Sequence, residues 1–565
     1  MKTLNVAFVW NQHQPYYRDT ASGHIIMPWL RLHAVKDYYQ MAALLESYPT
    51  VHQTFNLTPS LLEQLDFYLA GEKDYYLMAA RPVEELTEAE KRFLLNHYFD
   101  IHWERVIAAY PRYRQLLELQ GRAREPERVE EALARFTARD YCDLQVWFNL
   151  AWIDPGIRRA EPALQALEEK GAGFSEADRA AVLEAHTAIM RRVVPVHRRL
   201  RDRGVIELIT TPFYHPILPL LIDNYSALRA SPGLPLPRRF RYPQDAVAQV
   251  NMACEQYRRL FGGDPEGIWP PEQAVSPEVI PLFADHGFRW TISDEQILAR
   301  SLHEEIHRDG YGHVLNGDLL YRPYRVSWGG AELAVVFRDH HLSDRIGFEY
   351  QHFRPEDAAA DLVHRLHKIR ENLAASEETH LVTIALDGEN AWEWYQGDKG
   401  PFLNSLYRRL AADPHLNCVT VSEHLAAHPP VRYIEHLFSG SWVDHSFTRW
   451  IGTANKNTLW DYLLEAREAV ERYAAGDPDP ERLDRALRLI YIAEGSDFPW
   501  WIDSMPYYLA APFDALFRRH IANVYRAIGA TVPAHLQRPL ARPAPGEPTF
   551  ETDPLSGPVA IVRGS

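Results

Sequence analysis

Two segments bring a carboxylate to the end of an apolar run and set aromatic rings beside it. One is Gly267-Ile268-Trp269-Pro270-Pro271-Glu272, in which two prolines stiffen the chain that carries Glu272 next to Trp269. The other is Thr383-Ile384-Ala385-Leu386-Asp387-Gly388-Glu389-Asn390-Ala391-Trp392. Here Asp387 ends the apolar stretch, and Glu389 and Trp392 follow closely. Gly388 gives the backbone room for a close approach. Two carboxyl groups from separate strands, facing one another across a groove, are the equipment of glycoside hydrolysis. One attacks or stabilises the sugar cation; the other protonates the departing oxygen and then activates water. Each also has an ordinary explanation, Glu272 as a carboxylate at a helix start and Asp387 as a turn aspartate.

Four more segments carry candidate contacts. Trp10-Asn11-Gln12-His13-Gln14-Pro15 delivers hydrogen-bonding side chains behind an apolar run. His13 and Gln14 suit sugar hydroxyls, which both donate and accept; His13 is equally readable as a satisfied turn histidine. Glu207 lies inside the apolar run Val205 to Ile209, where a carboxylate is costly without a partner; Thr210 to His215 follows it. Asp339 and His340 follow the run Leu333 to Phe337. They read as hydroxyl-binding or structural groups rather than metal ligands, because neighbours in a strand point to opposite faces. Glu494-Gly495-Ser496-Asp497, with Trp500 and Trp501 behind it, is either a helix end leaning over a cleft or part of a helical core. No metal or other cofactor is expected.

The elements that must position these groups are legible as seven strand-like runs, at Leu4 to Trp10, Val51 to Phe55, Val205 to Ile209, Gly267 to Trp269, Phe288 to Ile292, Leu333 to Phe337 and Leu381 to Leu386. Apolar runs of this kind suit strands buried on both faces, as in parallel sheets. Polar clusters just beyond the strands follow the habit of α/β barrels, whose active sites sit at the strand C-termini. An incomplete TIM-like (β/α)7 barrel over residues 1–430 is the expected architecture. A helical insertion is expected at about 84–203, with Thr87 and Glu90 as a capping box, a helix start at Ser175 and Gly171 ending the helix before it. Helices at Leu459 to Tyr473, Pro480 to Ile492 and Ala510 to Ile528 predict a C-terminal helical domain over 431–532. Residues 533–565, rich in Pro and Gly, read as an extended tail.

Composition narrows the class. The chain has 565 residues, 46% hydrophobic and 24% charged, the profile of a folded domain. A formal net charge of −16 disfavours nucleic acid and anionic membrane as partners. Cys142, Cys254 and Cys418 are its three cysteines, too few for a disulfide scaffold and without zinc-ligand spacing. The start does not read as a signal peptide and no run approaches a membrane span, so the expected location is cytoplasmic. The 15 Trp and 29 Tyr offer flat apolar faces with polar edges, which match sugar rings.

Taken in order, the HQP stretch at 13–15, Gly204 to Glu207, Trp269 to Glu272, Asp387-Gly388-Glu389 and Glu494 to Trp501 resemble the five motif regions of glycoside hydrolase family 57. HQPYY, PWLRLHAVKDYY (28–39) and FRDHHLSDRIGF (337–348) look most like its amylopullulanase group. Related chains tend to read SDWFWW where this one has Ser496-Asp497-Phe498-Pro499-Trp500-Trp501. The resemblance implies a (β/α)7 barrel followed by a helical bundle, and retention of configuration through a glycosyl-enzyme on Glu272. It implies Asp387 as acid/base, α-glucan substrates and no obligatory metal. It also implies that His13, Glu207 and Trp269 surround the sugar at the scissile bond. The expected activity is hydrolysis of α-1,4 and α-1,6 glucosidic bonds. The rivals are a 4-α-glucanotransferase or branching enzyme using the same intermediate, a metal-dependent carbohydrate deacetylase or mannosidase-like enzyme, and a glucan-binding protein without turnover.

Overall fold

The computed structural model describes residues 3–122, 126–389 and 392–542, with two short strands at 550–551 and 562–563. Asn390, Ala391 and most of the Pro/Gly-rich tail lie outside the described residues.

Ten strands form one mostly parallel sheet. They are β1 (Leu4–Gln12), β2 (Gln53–Leu57), β3 (Ile206–Ile209), β4 (Gly267–Ile268), β5 (Trp290–Asp294), β6 (Tyr324–Trp328), β7 (Ala331–Arg338), β8 (Leu381–Asp387), β9 (Leu416–Cys418) and β10 (Arg432–Ile434). Seven of them close on themselves in the order β1-β2-β3-β4-β5-β7-β8. Two seams are thin: β3 meets β4 only through Thr210 and Ile268, and β7 meets β8 only through Arg338 and Thr383. The result is a nearly closed barrel. All seven expected runs contribute strands to it. The strands not foreseen are β6, which forms an antiparallel hairpin with β7, and the short β9 and β10 added at the periphery.

Side-chain alternation sorts the barrel into layers. Ala7 and Val9 of β1, Ile209, Trp290, Ile292, Val336, Leu381 and Ala385 fill the interior with Trp269, Val419 and Val421. Val6, Phe8 and Trp10 face the surrounding helices instead. Register then stacks the inward residues. Val9, Thr54, Glu207 and Ala385 lie level with one another. Asn11, Asn56 and Asp387 lie one layer nearer the strand C-termini, as do Asp294 and Arg338 on the far wall. The polar mouth is therefore built by the last inward positions of β1, β2, β5, β7 and β8, while β3 contributes the apolar Ile209 at that level.

Between β2 and β3 the chain is helical. Thr87 and Glu90 form the capping box of Glu88–His97, Ser175 and Asp178 that of Glu176–Met190, and Gly171 ends Pro162–Lys170 at φ 68°. Helices begin earlier than the sequence pattern suggested, at Pro59–Leu69, because Pro59 at the first helical position is compatible with helix initiation. Beyond β10, helices Ala454–Ala474, Pro480–Ala493 and Tyr507–Ala527 run against one another. Buried ion pairs tie them to the barrel side: Arg467 with Asp245 at 2.7 Å and Arg519 with Asp19 at 2.6 Å. No helix among the described residues is long and apolar enough to cross a membrane.

Candidate active site

Glu272 stands on a strained turn. β4 is only two residues long, Pro270 and Pro271 follow it, and Glu272 adopts φ 56°, ψ 26°, with Gln273 at φ 49°. Left-handed backbone at a non-glycine residue costs on the order of 1 kcal/mol or more and persists only where neighbours over-determine it. Here a second segment does so. Val275 and Gly440 exchange backbone hydrogen bonds of 2.8 and 3.0 Å, and Trp442 N–H donates to the Glu272 carbonyl at 3.2 Å. The Trp442 indole N–H also donates to Glu272 Oε2 at 2.8 Å. Trp442 packs edge-on against Trp269 at 5.4 Å, with the Arg338 guanidinium over its other face at 4.7 Å.

Asp387 ends β8 at the barrel mouth. Its Oδ1 accepts from Asn11 Nδ2 at 2.8 Å, and Asn11 Oδ1 accepts from Asn56 Nδ2 at 2.7 Å. Three neighbouring strand ends thus hold one another in a fixed order. Gly388 passes close to β1, where an added Cβ would sit 3.0 Å from Gln12 Cγ and would require that side chain to shift. Asp387 remains exposed to cleft solvent although protein surrounds it, while Glu272 is half-buried. Burial, then the negative charge of Asp387, pushes Glu272 up to about 8, against the pull of Trp442 and His13. Burial also raises Asp387, opposed by the Asn11 amide, His13 and Arg338.

A third group meets this pair. His13 Nε2 lies 3.0 Å from Asp497 Oδ1, and the His13 ring stacks on His215 with centroids 3.6 Å apart and planes at 12°. His215 is buried, sits at φ 59°, and has Nδ1 2.9 Å from Ser496 Oγ. Ser496 N–H in turn donates to the His215 carbonyl at 3.0 Å, so the helical segment is sewn directly to the loop after β3. Burial works against a proton on His13, but the charge and hydrogen bond of Asp497, then Glu272 and Asp387, outweigh it and raise its pKa. Burial and then the charge on His13 hold His215 well below the usual histidine range. A proton is therefore favoured on His13 and disfavoured on His215. Glu389 clamps the same loop, accepting from the His13 N–H at 2.8 Å.

His13, His215 and Asp497 also place ligand atoms within 4.8 Å of one another, the group among the described residues able to hold a metal ion. With the rings face to face, the nitrogen lone pairs run alongside rather than converge, a poor match to tetrahedral coordination.

The structure thus gathers Glu272, Asp387, His13, His215, Asp497 and Glu389, and sets other expected contacts elsewhere. Glu207 points into the lower barrel layer, where it accepts from Ser422 Oγ at 2.5 Å, Thr54 Oγ1 at 3.0 Å and Trp290 Nε1 at 3.1 Å. It lies two residues below the mouth, and its hydrogen bonds stay on the floor. Trp269 is fully buried beneath Trp442. Asp339 is a buried helix cap that accepts from Leu342 N–H, Tyr321 and Arg308. His340 is held between Asp294 at 3.0 Å and Asp344 at 2.9 Å, whose hydrogen bonds push it up to about 10. Trp392 is a buried wedge whose indole donates to the Gly388 carbonyl at 2.8 Å. Trp500 leans on Trp450 under Arg449. Gln14 accepts from Tyr17 OH at 2.8 Å and borders a cavity of about 610 Å³ walled by Trp29, Trp152, Trp394, Trp501 and Phe513. Sequence reading missed Trp442, which sits 170 residues from Glu272 with only a Ser-Gly-Ser run to mark its loop. It saw Asn11 and Ser496 within their motifs without assigning them a task.

The sequence pattern that defines glycosyl hydrolase family 57 matches residues 7–436. Among characterised relatives, an alpha-amylase of Pyrococcus furiosus is 25% identical over 239 residues, 41% of this chain and 30% of that protein. A 4-alpha-glucanotransferase of Thermococcus kodakarensis is 24% identical over 274 residues, 47% of this chain and 34% of that protein. The chain therefore spans about a third of the length of these relatives. Among solved structures, a branching enzyme from Thermococcus kodakaraensis superimposes with a TM-score of 0.59 at 17% identity, covering 93% of this chain and 90% of the other. That likeness shows the fold.

Proposed function

The chain belongs to glycosyl hydrolase family 57, and we propose that it is a retaining α-glucan hydrolase of the amylopullulanase kind, cutting α-1,4 and α-1,6 glucosidic bonds. The observation that carries the proposal is the pairing of Glu272 with Asp387 across the barrel mouth. Glu272 is held rigidly on a strained turn, and burial raises the proton affinity of both carboxyls. With Glu272 pushed up to about 8, the free pair holds a proton near neutral pH, and a double displacement starts from the arrangement in which that proton lies on Asp387 and Glu272 is ionised.

In this reading Glu272 attacks the anomeric carbon while Asp387 gives its proton to the glycosidic oxygen, and the aglycone leaves. Water then enters on the same face. Asp387 takes its proton, and the water oxygen displaces Glu272 with overall retention. Asn11 orients Asp387, and Trp442 fixes Glu272 and stabilises its charge by donating a hydrogen bond. A proton on His13, favoured by its pairing with Asp497, offsets the negative charge of the two carboxyls. The aromatic cavity beside Gln14 offers flat faces for further glucose units and room for a branch. The exposure of Asp387 to cleft water favours hydrolysis.

The same cavity supports a second reading, transfer to a sugar acceptor that docks on those aromatic walls before water does. One experiment separates them. Wild type and Glu272→Gln are incubated with amylose and with pullulan while reducing ends, chain lengths and linkages are followed. Reducing ends from wild type alone, with α-1,6 cuts in pullulan, support the proposal. Redistributed chains with few new reducing ends support transfer. Undiminished turnover by Glu272→Gln removes Glu272 from the role.

A further inference from the structure

In the segment 337–348, Asp339 and His340 are held by protein partners, and the residue before them joins the two sides of the site. Arg338 ends β7 and is buried. Its Nε donates to Asp294 Oδ2 at 2.8 Å, and its Nη1 donates to the Ala385 carbonyl at 3.2 Å. Its guanidinium carbon lies 4.7 Å from the ring centre of Trp442, the indole that donates to Glu272 Oε2. Ala385 stands two residues before Asp387 on β8. The backbones of β7 and β8 pair at Arg338 and Thr383, and the bond to Ala385 adds a side-chain rung across that seam, just below Asp387. One side chain therefore reaches the support of both carboxyls.

A cation on the face of an indole draws density from the ring and makes its N–H a stronger donor. Arg338 thus strengthens the hydrogen bond that favours ionised Glu272. Burial raises Asp387, and Arg338 joins Asn11 and His13 in countering it. The fork is fixed from the other side as well. Asp294 also pairs with His340 at 3.0 Å, and His340 with Asp344 at 2.9 Å. The charged groups facing Arg338 are Asp294 from β5, His340 and Asp344 from the helix His340–Asp344, His445 from the Trp442 loop and Asp387 from β8. We propose that Arg338 is a positioning residue for the reaction, its single guanidinium holding the Trp442 indole against Glu272 and the end of β8 beneath Asp387. The role presupposes Glu272 as nucleophile and Asp387 as acid/base.

The test is steady-state turnover of amylose from about pH 4 to about pH 10, with thermal unfolding alongside, for wild type, Arg338→Met, Arg338→Lys and Glu272→Gln. In Arg338→Met the carboxylate of Asp294 keeps His340 as its partner. This variant should lose about tenfold in kcat, with KM for amylose within about twofold of wild type, because Arg338 is buried behind Trp442. Without the cation both carboxyls hold their protons to higher pH, so the acid and alkaline falls of the profile should both move up by about half a unit or more. Arg338→Lys keeps the charge but not the planar fork. It should leave both falls near their wild-type positions and still lose kcat, and it decides the matter should Arg338→Met not fold. Wild-type kcat in a folded variant, unmoved falls in Arg338→Met, or a loss confined to Tm or KM would overturn the role. Undiminished turnover by Glu272→Gln removes the assignment of Glu272 and the role of Arg338 with it. An inactive Glu272→Gln beside an unaffected Arg338 variant overturns the role of Arg338 alone.

Discussion

Replacing Glu272 by Gln should stabilise the protein above neutral pH while it stops the reaction, and the size of the gain can be worked out from the site. Glutamine keeps the volume and an oxygen that can accept from the Trp442 indole. What it removes is the charge. Glu272 ionises at 4.5 in an unfolded chain and at about 8 in the folded one, so the native state holds a proton that the unfolded state releases. Its contribution to stability is therefore fully present below 4.5 and is lost as pH rises through 8. At about 1.4 kcal/mol per pH unit, the interval from 4.5 to 7 corresponds to about 3 kcal/mol. Cleft water screens part of that, and about 2 kcal/mol is the working figure at neutral pH. With a melting entropy near 2.1 cal/mol/K per residue, a chain this long gains about 2 °C from that amount. The assay is thermal unfolding followed by intrinsic tryptophan fluorescence, on wild type and variant, from pH 4.5 to 9. The two curves should coincide at the acid end and separate progressively, with the variant higher, until the difference levels off above pH 8. A difference independent of pH, or a variant less stable at pH 8.5 than wild type, would refute the claim that burial and Asp387 hold the Glu272 proton.

Asp387→Asn should lose about 10²- to 10⁴-fold on amylose but far less on aryl glucosides whose leaving groups need no proton; equal losses on both would count against acid/base duty. Turnover of wild type should be bell-shaped in pH, with the alkaline fall near 8, where Glu272 and Asp387 give up their shared proton, and an acid fall above the ordinary aspartate value, because Asp387 is raised. Trp442→Phe removes one donor to ionised Glu272. It should cost about tenfold in turnover and shift the alkaline fall upward, whereas an unchanged profile would make Trp442 packing alone. Exhaustive chelation should leave amylose turnover intact; a loss restored by zinc would make His13, His215 and Asp497 a working metal site.

Much of the barrel was legible because burial on both faces leaves a simple trace. β1 is buried along all nine residues, and β8 along all but its terminal aspartate. The hairpin strand β6 left no such trace. Its pattern runs Tyr-Arg-Val-Ser-Trp with two exposed positions, and it is fixed by pairing to β7 rather than by its own composition. β9 and β10, three residues each, are too short to carry a period.

The site divides along the same physical line. Asp387 and His13 announce themselves because one ends a strand and the other follows directly on one, so local order places them. Glu207 shows the limit of that reasoning. It shares its strand with the residues that lead to His215, yet strand register, not proximity in sequence, decides that its carboxylate meets Thr54 and Ser422 on the barrel floor. Trp442 is the converse case. No local pattern connects it to Glu272, because the link is a left-handed turn that is affordable only once the segment around Gly440 is bound to Val275. The strain at Glu272 and the distance to Trp442 are thus one fact. A carboxylate must be aimed inward from a two-residue strand, the turn that aims it is unfavourable alone, and the support comes from a part of the chain that folding alone brings near.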